Sequence, residues 1–275
     1  MRNKPQTSAG REGLRRVLCE PARALLAFDY DGTLAPIVAD STQARPDTDV
    51  IEGLVALSAR VGLVAVVTGR PAQVAVDLAG LADETRLERF VVVGHYGMER
   101  WKPVEGLRTV DPPAGLGEVR RRLPELLMSL ELSDADVEDK GLSVAVHARR
   151  LADPAAAFAA MEAPLRALAD EYGLVAEPGR LVMEMRPAGM DKGQALRALV
   201  HETDAAAVMF TGDDLGDLAA FDEVERQRVV GIGGLLVCSG SDEVVAVAAR
   251  ADVVVDGPAG VAEFVADLIQ ALDDA

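Results

Sequence analysis

The sequence predicts an α/β protein, with a doubly wound parallel-sheet core and an inserted smaller α+β domain. Short apolar runs of strand length alternate with helical patterns near both ends of the chain. This alternation favours parallel strands joined by right-handed crossovers. The pattern changes in the middle of the chain. We therefore expect a core formed by residues 1–108 and 188–275, and an insert formed by residues 109–187.

The first half of the core is predicted to contain three buried strands. Each is a short apolar run without alternation, which is typical of a strand covered on both faces. The three runs are residues 23–28, 63–67 and 90–93. A short helix is expected over 14–18. A second helix begins at Thr48 or Asp49, and Pro71 opens a third, since proline suits the first helical position.

The insert follows a stretch rich in glycine and proline, residues 106–117. Helical patterns cover 118–130 and 154–172, and Pro164 is expected to kink or split the second helix. Three strand-like pieces accompany them, and the first two bend at Gly141. These pieces are residues 136–140, 142–148 and 181–186.

The second half of the core returns to the parallel-sheet pattern. A helix is expected to begin at Asp191 and to run through Val200, and a second helix closes the chain over 261–272. Three further strands are predicted in this half. They are residues 206–211, 229–232 and 252–255.

The composition limits the classes of partner. The chain has 275 residues, 49% of them hydrophobic, and a formal net charge of −17. This acidity argues against nucleic acid or an anionic membrane as the main partner. The two cysteines form no disulfide framework, and neither a membrane-length apolar run nor a secretory signal is evident. We therefore expect a cytoplasmic monomer.

The stretch around Asp29 and Asp31 is the strongest functional signal. Both acids follow the apolar run that ends at Phe28, where ligands of open parallel sheets collect. Residues spaced i and i+2 share a face in extended chain. Two neighbouring carboxylates repel each other, so a proton or a metal ion must neutralise one of them. Gly32 then allows a sharp turn.

Two other predicted strands also end in polar residues. Thr68 follows the second strand, and a group of acids follows the strand over 206–211. Lys192 begins a helix that is expected to lie beside these strand ends. The acids of that group are Asp213, Asp214 and Asp217. Taken singly, Thr68 fits a helix cap and Lys192 a surface lysine, so their weight comes from clustering.

Such a cluster suits a hard divalent cation with oxygen ligands, most simply Mg²⁺. Zinc is disfavoured because the chain has three histidines and no group of Cys and His ligands. A metal, a lysine and a hydroxyl suit phosphoryl transfer. One carboxylate can attack phosphorus while a second transfers protons. A phosphate-loop nucleotide site is not indicated, since no Gly-x-x-x-x-Gly-Lys stretch is present.

These residues resemble the four ordered motifs of the haloacid dehalogenase superfamily. The motifs are Asp29-x-Asp31-Gly32-Thr33, Thr68, Lys192 and Gly212-Asp213-Asp214. The insert resembles the α+β caps of that superfamily's sugar-phosphate phosphatases, and the sequence is similar to the trehalose-6-phosphate phosphatase family. That similarity lies in Asp29 to Ile37, Thr68-Gly69-Arg70, Glu138 to Gly141, Val182 to Pro187 and Asp191-Lys192-Gly193.

The resemblance implies roles for the core residues. Asp29 is the nucleophile, and Asp31 is the general acid and base. Mg²⁺ is held by Asp29, by the backbone carbonyl of Asp31 and by Asp213. Thr68 and Lys192 bind the phosphoryl group. The remaining acids, Asp214 and Asp217, lie behind the metal ligands or position Lys192.

The resemblance also implies residues that bind the substrate. In the insert, Glu138, Lys140 and Glu184 match positions that grip sugar hydroxyls, and charged groups make the stronger hydrogen bonds. In the core, Gly69 and Arg70 border the substrate, and Arg70 is either near the phosphate or in an ion pair.

One segment departs from the family pattern. Gly94-His95-Tyr96-Gly97 stands where the family often has Gly-Asn-His-Gly, so Tyr96 replaces a histidine. The tyrosine supplies either a hydroxyl or an apolar wall.

The implied activity is the Mg²⁺-dependent hydrolysis of trehalose 6-phosphate to trehalose and phosphate, through an aspartyl-phosphate, as the last step of trehalose biosynthesis. A trehalose-6-phosphate synthase is the protein partner that the resemblance suggests. Three alternatives stay open. They are a phosphatase for sucrose phosphate or mannosylglycerate phosphate, a phosphomannomutase-like enzyme, and a non-catalytic sugar-phosphate sensor or partner domain of a synthase.

Overall fold

The computed structural model describes residues 3–38, 40–179, 181–240 and 245–275. The chain forms two compact units. The first consists of Met1–Arg108 with Asp191–Ala275, and the second of Thr109–Met190. Within the described ranges, no helix combines the length and the apolar character that crossing a membrane requires.

The first unit is built on an eight-stranded sheet. Its strands are β1 (Ala24–Phe28), β2 (Leu63–Val67), β3 (Phe90–Gly94), β4 (Glu99–Lys102), β5 (Gly106–Thr109), β10 (Ala207–Gly212), β11 (Gly233–Gly240) and β12 (Val253–Asp256). The spatial order is β12-β11-β10-β1-β2-β3-β4-β5. Neighbours from β12 to β3 pair in parallel, and β4 runs antiparallel to β3.

Helices cover both faces of this sheet. They are α1 (Ser8–Cys19), α2 (Thr48–Ser58), α3 (Ala72–Leu78), α6 (Lys192–Thr203), α7 (Leu218–Val229), α8 (Val245–Ala248) and α9 (Gly257–Asp273). Leu26 and Phe28 of β1 belong to one apolar cluster, whereas Leu25 and Ala27 belong to a second. Because successive strand residues point to opposite faces, β1 is apolar throughout. This architecture confirms the predicted α/β fold class.

The strand predicted at 229–232 is wrong. Val229 ends α7, and the strand of this region is β11, which begins at Gly233. Val229 and Val230 are 87% and 71% exposed, so the β-branched pair marks the end of a helix rather than a buried strand. Strand β11 opens with two glycines, Gly233 and Gly234, because side chains of neighbouring elements lie close to its backbone there. A Cβ on Gly234 would lie 2.7 Å from Arg228.

Other boundaries also differ from the prediction. Helix α1 begins at Ser8 rather than near residue 14, and Asp47 rather than Thr48 or Asp49 is the cap of α2. Pro71 occupies the cap position of α3 instead of its first turn. In this unit, strands β4 and β5 and helices α7 and α8 are additions to the predicted set.

The second unit is a four-stranded antiparallel sheet with two helices on one face. The strands are β6 (Asp136–Asp139), β7 (Val144–His147), β8 (Leu174–Gly179) and β9 (Val182–Pro187), in the order β6-β7-β9-β8. The helices α4 (Leu116–Ser129) and α5 (Pro154–Glu171) pack on it through one apolar cluster. Helix α5 continues through Pro164, so the expected split is not observed.

Candidate active site

Parallel pairing brings the acids of two distant segments together. Strand β1 lies beside β10 with Phe28 opposite Thr211, so Asp29 and Asp213 follow neighbouring strand ends. The backbone N–H of Asp29 donates to the Thr211 carbonyl over 2.8 Å. Carboxylate oxygens of Asp29, Asp213 and Asp217 all lie within 4.8 Å of one another, and all three residues are buried. We call these three residues the acid cluster.

Lys192 is the cation that contacts this acid cluster. It is the first residue of α6, whose N-terminus is capped by the side chain of Asp191. Its Nζ lies 2.6 Å from Asp29 Oδ1 and 2.7 Å from Asp217 Oδ1. The lysine side chain is only 6% exposed, so both ion pairs are shielded from water. One lysine cannot neutralise three carboxylates, and negative charge is left over.

The pKa values of the acid cluster reflect its burial first and the neighbouring charges after that. Burial raises the pKa of Asp213 to about 7, with the charges of Asp217 and Asp214 acting in the same direction. Burial likewise raises the pKa of Asp29 well above its usual range, although Lys192 opposes the shift. Burial opposes the charge on Lys192, yet Asp217 and Asp29 outweigh it and raise the lysine pKa.

The acid cluster fits a hard divalent cation. It offers carboxylate oxygens alone, which are the donors that Mg²⁺ and Ca²⁺ prefer. The loop after β1 approaches Asp213 so closely that a Cβ on Gly32 would lie 2.1 Å from Asp213 Oδ2. Gly32 has a φ of 76°, a conformation that suits glycine. A side chain at position 32 would therefore collide with the Asp213 carboxylate.

Asp217 organises the start of the loop after β10. Its Oδ2 accepts hydrogen bonds from the backbone N–H groups of Asp213, over 2.9 Å, and Asp214, over 3.1 Å. Its Oδ1 contacts Lys192, so the two oxygens have separate tasks. Asp214, by contrast, has an exposed side chain.

Asp31 belongs to a different arrangement from that of Asp29. Its two carboxylate oxygens accept from Nε and Nη2 of Arg70, each over 2.6 Å. Arg70 Nη1 donates to the backbone carbonyl of Ser41 over 3.0 Å. The structure therefore contains the ion pair, one of the two arrangements that the sequence left open for Arg70, and a position near the phosphate stays a prediction.

The ends of β2 and β3 are joined through their backbones. Thr68 is buried, and its Oγ1 accepts from the Arg70 N–H over 3.1 Å. The Tyr96 N–H donates to the Thr68 carbonyl over 3.1 Å, and the His95 N–H to the Arg70 carbonyl over 2.9 Å. His95 and Tyr96 have φ values of 46° and 56°, which are uncommon for residues with a side chain.

Tyr96 lies against Gly69. A Cβ on Gly69 would stand 2.5 Å from the Tyr96 hydroxyl oxygen, so only glycine leaves room for this tyrosine. The hydroxyl-bearing edge of the ring therefore borders the loop that carries Thr68.

Sequence reasoning assigned no role to two hydroxyl residues beside the acid cluster. Thr33 is fully buried, and its Oγ1 lies 3.5 Å from Asp213 Oδ1. The Ser239 hydroxyl, at the end of β11, donates to the Gly32 carbonyl over 2.7 Å. Thr33 stands within the quoted Asp-x-Asp-Gly-Thr stretch. Ser239 could be found only once β11 was placed correctly.

The second unit brings its three predicted sugar-binding residues onto one sheet face. Glu138 and Glu184 are both paired in register with Ala145 of β7. Lys140 Nζ lies 3.3 Å from Glu184 Oε1, which also accepts from the Ser143 hydroxyl over 2.6 Å. Glu138 lies 3.0 Å from the Nε2 of His147. These contacts give the face a set of fixed donors and acceptors.

Comparisons with known proteins point in one direction. The sequence model of the trehalose-phosphatase family matches residues 27–254. A trehalose-phosphate phosphatase of Mycobacterium avium is 32% identical over 256 residues, which cover 90% of this chain and 62% of that protein. A trehalose-6-phosphate phosphatase of Escherichia coli is 29% identical over 219 residues, which cover 78% of this chain and 76% of that protein.

Two further similarities concern length and fold. An uncharacterized glycosyl hydrolase of Mycobacterium tuberculosis is 34% identical over 224 residues, which cover 77% of this chain but 16% of that protein. The chain therefore spans less than two thirds of the length of these mycobacterial relatives.

Among solved structures, the C-terminal domain of Candida albicans trehalose-6-phosphate phosphatase has a TM-score of 0.75 at 20% identity, covering 97% of this chain and 99% of that one.

A haloacid dehalogenase-like hydrolase from Bacteroides thetaiotaomicron has a TM-score of 0.60 at 16% identity, covering 89% of this chain and 98% of that one. At such identities these likenesses establish the fold alone, and that fold is the one that the sequence motifs implied.

Proposed function

The chain belongs to the trehalose-phosphatase family, and from this premise we propose that it hydrolyses trehalose 6-phosphate to trehalose and phosphate. The observation that carries the proposal is the buried contact between Asp29 and Lys192 at the carboxyl end of β1, beside Asp213. A fixed carboxylate next to a fixed cation suits attack on a phosphate ester.

The proposed reaction has two steps. In the first, Asp29 attacks phosphorus, the bond to the sugar oxygen breaks, and Asp31 gives that oxygen a proton. In the second, water attacks the aspartyl-phosphate, Asp31 takes a proton from the water, and phosphate leaves with Asp29 restored. Lys192 holds one oxygen of Asp29, which leaves the other oxygen for the attack. Thr68 and Lys192 bind the phosphoryl oxygens.

Mg²⁺ is the proposed cofactor. Asp29, Asp213 and the backbone carbonyl of Asp31 would hold it, and the ion would offset negative charge on the phosphoryl group. The acid cluster supports this assignment, since among the described residues its three carboxylates have one lysine, Lys192, in contact with them.

The second unit is the proposed cap that recognises the sugar. Glu138, Lys140 and Glu184 share one face of its sheet and are held by neighbouring side chains. Ionised groups fixed in this way form strong hydrogen bonds to hydroxyls. Trehalose offers many hydroxyls, each of them both a donor and an acceptor.

The test is phosphate release from a panel of sugar phosphates, measured with Mg²⁺ and with a chelator. The panel holds the 6-phosphates of trehalose, sucrose, glucose and mannose. Asp29→Asn removes the attacking oxygen's charge, and Asp83→Asn makes the same change at an exposed residue as a control.

We expect Mg²⁺-dependent release with a preference for trehalose 6-phosphate, unchanged in Asp83→Asn and lost in Asp29→Asn. A preference for another member of the panel would discard the sugar assignment and keep the mechanism. Full activity in Asp29→Asn would exclude the aspartyl-phosphate. Tight binding without turnover would favour a sugar-phosphate sensor.

A further inference from the structure

We propose that Arg70 is a positioning residue that acts through Asp31, rather than a ligand of the substrate. The inference rests on the proposed function, because it concerns the residue assigned to proton transfer. It replaces the substrate-binding role that the sequence suggested for Arg70.

The ion pair between Arg70 and Asp31 is built for orientation. Nε and Nη2 of the guanidinium each donate to a different oxygen of Asp31 over 2.6 Å. Such a bidentate pair fixes the plane of a carboxylate as well as its position. The Arg70 side chain is 14% exposed, against 41% for Asp31, so the arginine is the better anchored of the two.

Arg70 is itself held by contacts that do not involve Asp31. Nη1 donates to the Ser41 carbonyl over 3.0 Å, and the guanidinium carbon lies 5.3 Å from the centre of the Tyr30 ring. The backbone N–H of Arg70 donates to Thr68. The first two contacts hold the guanidinium and the third holds the backbone that carries it, so that the guanidinium can serve as a template for the carboxylate.

The geometry also shows where the donors of Arg70 are directed. A guanidinium has five N–H groups. Donors on all three of its nitrogens are used by Asp31 and Ser41. A phosphate that took over this fork would have to displace Asp31, leaving the proton-transfer residue without its support.

Proton transfer requires a carboxylate in a narrow range of positions. A displacement of about 1 Å costs about a hundredfold in rate when reacting groups must be aligned. Acid–base catalysis as a whole contributes about a hundred- to ten-thousandfold. We therefore expect that Arg70→Met lowers kcat for trehalose 6-phosphate by about tenfold or more, with KM changed by less than about threefold.

The decisive experiment is a double-mutant cycle. The cycle compares four proteins, which are the wild type, Arg70→Met, Asp31→Asn and the double variant. Two quantities are measured for each: the turnover rate, and the fraction of enzyme that an acid quench traps as phosphoenzyme. If Arg70 acts through Asp31, adding Arg70→Met to the Asp31→Asn variant changes nothing further in either measurement. Arg70→Lys, which keeps the charge and loses the fork, restores only part of kcat.

An activated ester separates the two steps. The leaving group of p-nitrophenyl phosphate departs without a proton, so the burst of p-nitrophenol should keep its rate in Arg70→Met. The later release of phosphate should slow, because water still needs Asp31. The phosphoenzyme should therefore accumulate, which a merely structural defect would not produce.

Tyr30→Phe is the matched control. Arg70 donates to the backbone carbonyl of Ser41, and the Tyr30 hydroxyl donates to the backbone carbonyl of Ala44 over 3.0 Å, so both side chains hold the segment 41–44. If Arg70 served only to hold that segment, Tyr30→Phe would reproduce its effects. We expect that Tyr30→Phe shows no phosphoenzyme accumulation.

Three outcomes would overturn the inference while the proposed function stands. The first is that the losses in the cycle are additive. The second is that Arg70→Met slows the burst and raises both KM and the inhibition constant for inorganic phosphate at least tenfold. The third is that phosphoenzyme accumulates in Tyr30→Phe. Absence of turnover in the wild type would overturn the proposed function and this inference with it.

Discussion

At the scale of single residues, the acid cluster opposes folding because its carboxylates are taken out of water. Asp29, Asp213 and Asp217 are buried, and burial raises the pKa of each. Desolvated like charges destabilise a fold unless a cation offsets them. Lys192 supplies one such cation, and the proposed metal supplies the other.

This imbalance predicts an unusual pH dependence for the metal-free protein. A carboxyl whose folded-state pKa exceeds its unfolded value binds its proton more tightly when folded. Its contribution to stability is present below the unfolded pKa and is lost as pH rises through the folded one. For Asp213 that window runs from its ordinary value of 3.8 to about 7. One proton released per molecule corresponds to a slope of about 1.4 kcal/mol per pH unit.

Urea unfolding in a chelator, followed by the fluorescence of Trp101, measures this effect. Trp101 is the one tryptophan of the chain and lies in β4, so it reports on the first unit. We expect a lower free energy of unfolding at pH 7 than at pH 5. Asp213→Asn should flatten the dependence, and Mg²⁺ should reverse it in the wild type. A wild-type curve that rises with pH in chelator would refute the electrostatic account.

The site shows which residues a sequence can reveal. Asp29 and Asp213 could be placed together because both follow apolar strands, and parallel strands share their carboxyl edge. The partner of Arg70 could not be chosen, since Asp31 lies 39 positions away and the pairing depends on side-chain directions. The fit of Tyr96 against Gly69 depends on positive φ values that no residue pattern announces.

At the scale of elements, helix α1 lies against β11 through its glycines. A Cβ on Gly13 would stand 1.9 Å from the backbone carbonyl oxygen of Gly234, and one on Gly10 would stand 2.4 Å from Asp252. The Asp252 carboxylate, in turn, is bound by Thr7 and Arg228. Close approach of the two backbones therefore acts together with the packing of Val17, Leu14 and Leu18 to seat this helix.

Gly13→Ala tests this contact by the sign of its effect. Alanine normally stabilises a helix by about 1 kcal/mol relative to glycine. Here the added methyl group meets a backbone oxygen that cannot turn aside, so we expect a loss of about 2 kcal/mol or more. Trp101 fluorescence in urea measures it.

Gly117→Ala provides the comparison. Gly117 lies in α4, and a Cβ there would meet nothing within 4 Å. It should leave the Trp101 transition of the first unit unchanged. An increase in stability for Gly13→Ala would show that α1 is not seated through its glycines.

The same close approach explains why β11 was misplaced from the sequence. The first four residues of β11, Gly233 to Leu236, include no β-branched residue, whereas the exposed Val229 and Val230 just before them are β-branched, as strand residues often are. Strands such as β1 and β2 were found because they are buried on both faces and therefore apolar throughout.

At the scale of the whole molecule, the two units carry different chemistry. The first holds the acid cluster and Lys192, which suit a phosphoryl group. The second holds Glu138, Lys140 and Glu184 on one sheet face. If the proposed function is correct, substitutions in the two units should affect different kinetic quantities.

Glu184→Gln is the sharpest test of this division. Glu184 is 8% exposed and accepts from Ser143 and Lys140, so its carboxylate is fixed. Hydrogen bonds to charged groups contribute about 1.5–3 kcal/mol, which predicts a loss of about ten- to a hundredfold in kcat/KM for trehalose 6-phosphate. The value for p-nitrophenyl phosphate, which carries no sugar, should stay within about twofold.

Glu125→Gln is the matched control, because it makes the same change in the same unit at an exposed carboxylate of α4, on the helical side of the sheet. We expect that it leaves both values within about twofold. Asp29→Asn, in contrast, should abolish turnover of both esters. Equal losses on both esters in Glu184→Gln would mean that the second unit serves phosphate chemistry or folding rather than recognition of the sugar. An unchanged value for trehalose 6-phosphate would remove Glu184 from the binding site and leave the mechanism at Asp29 untouched.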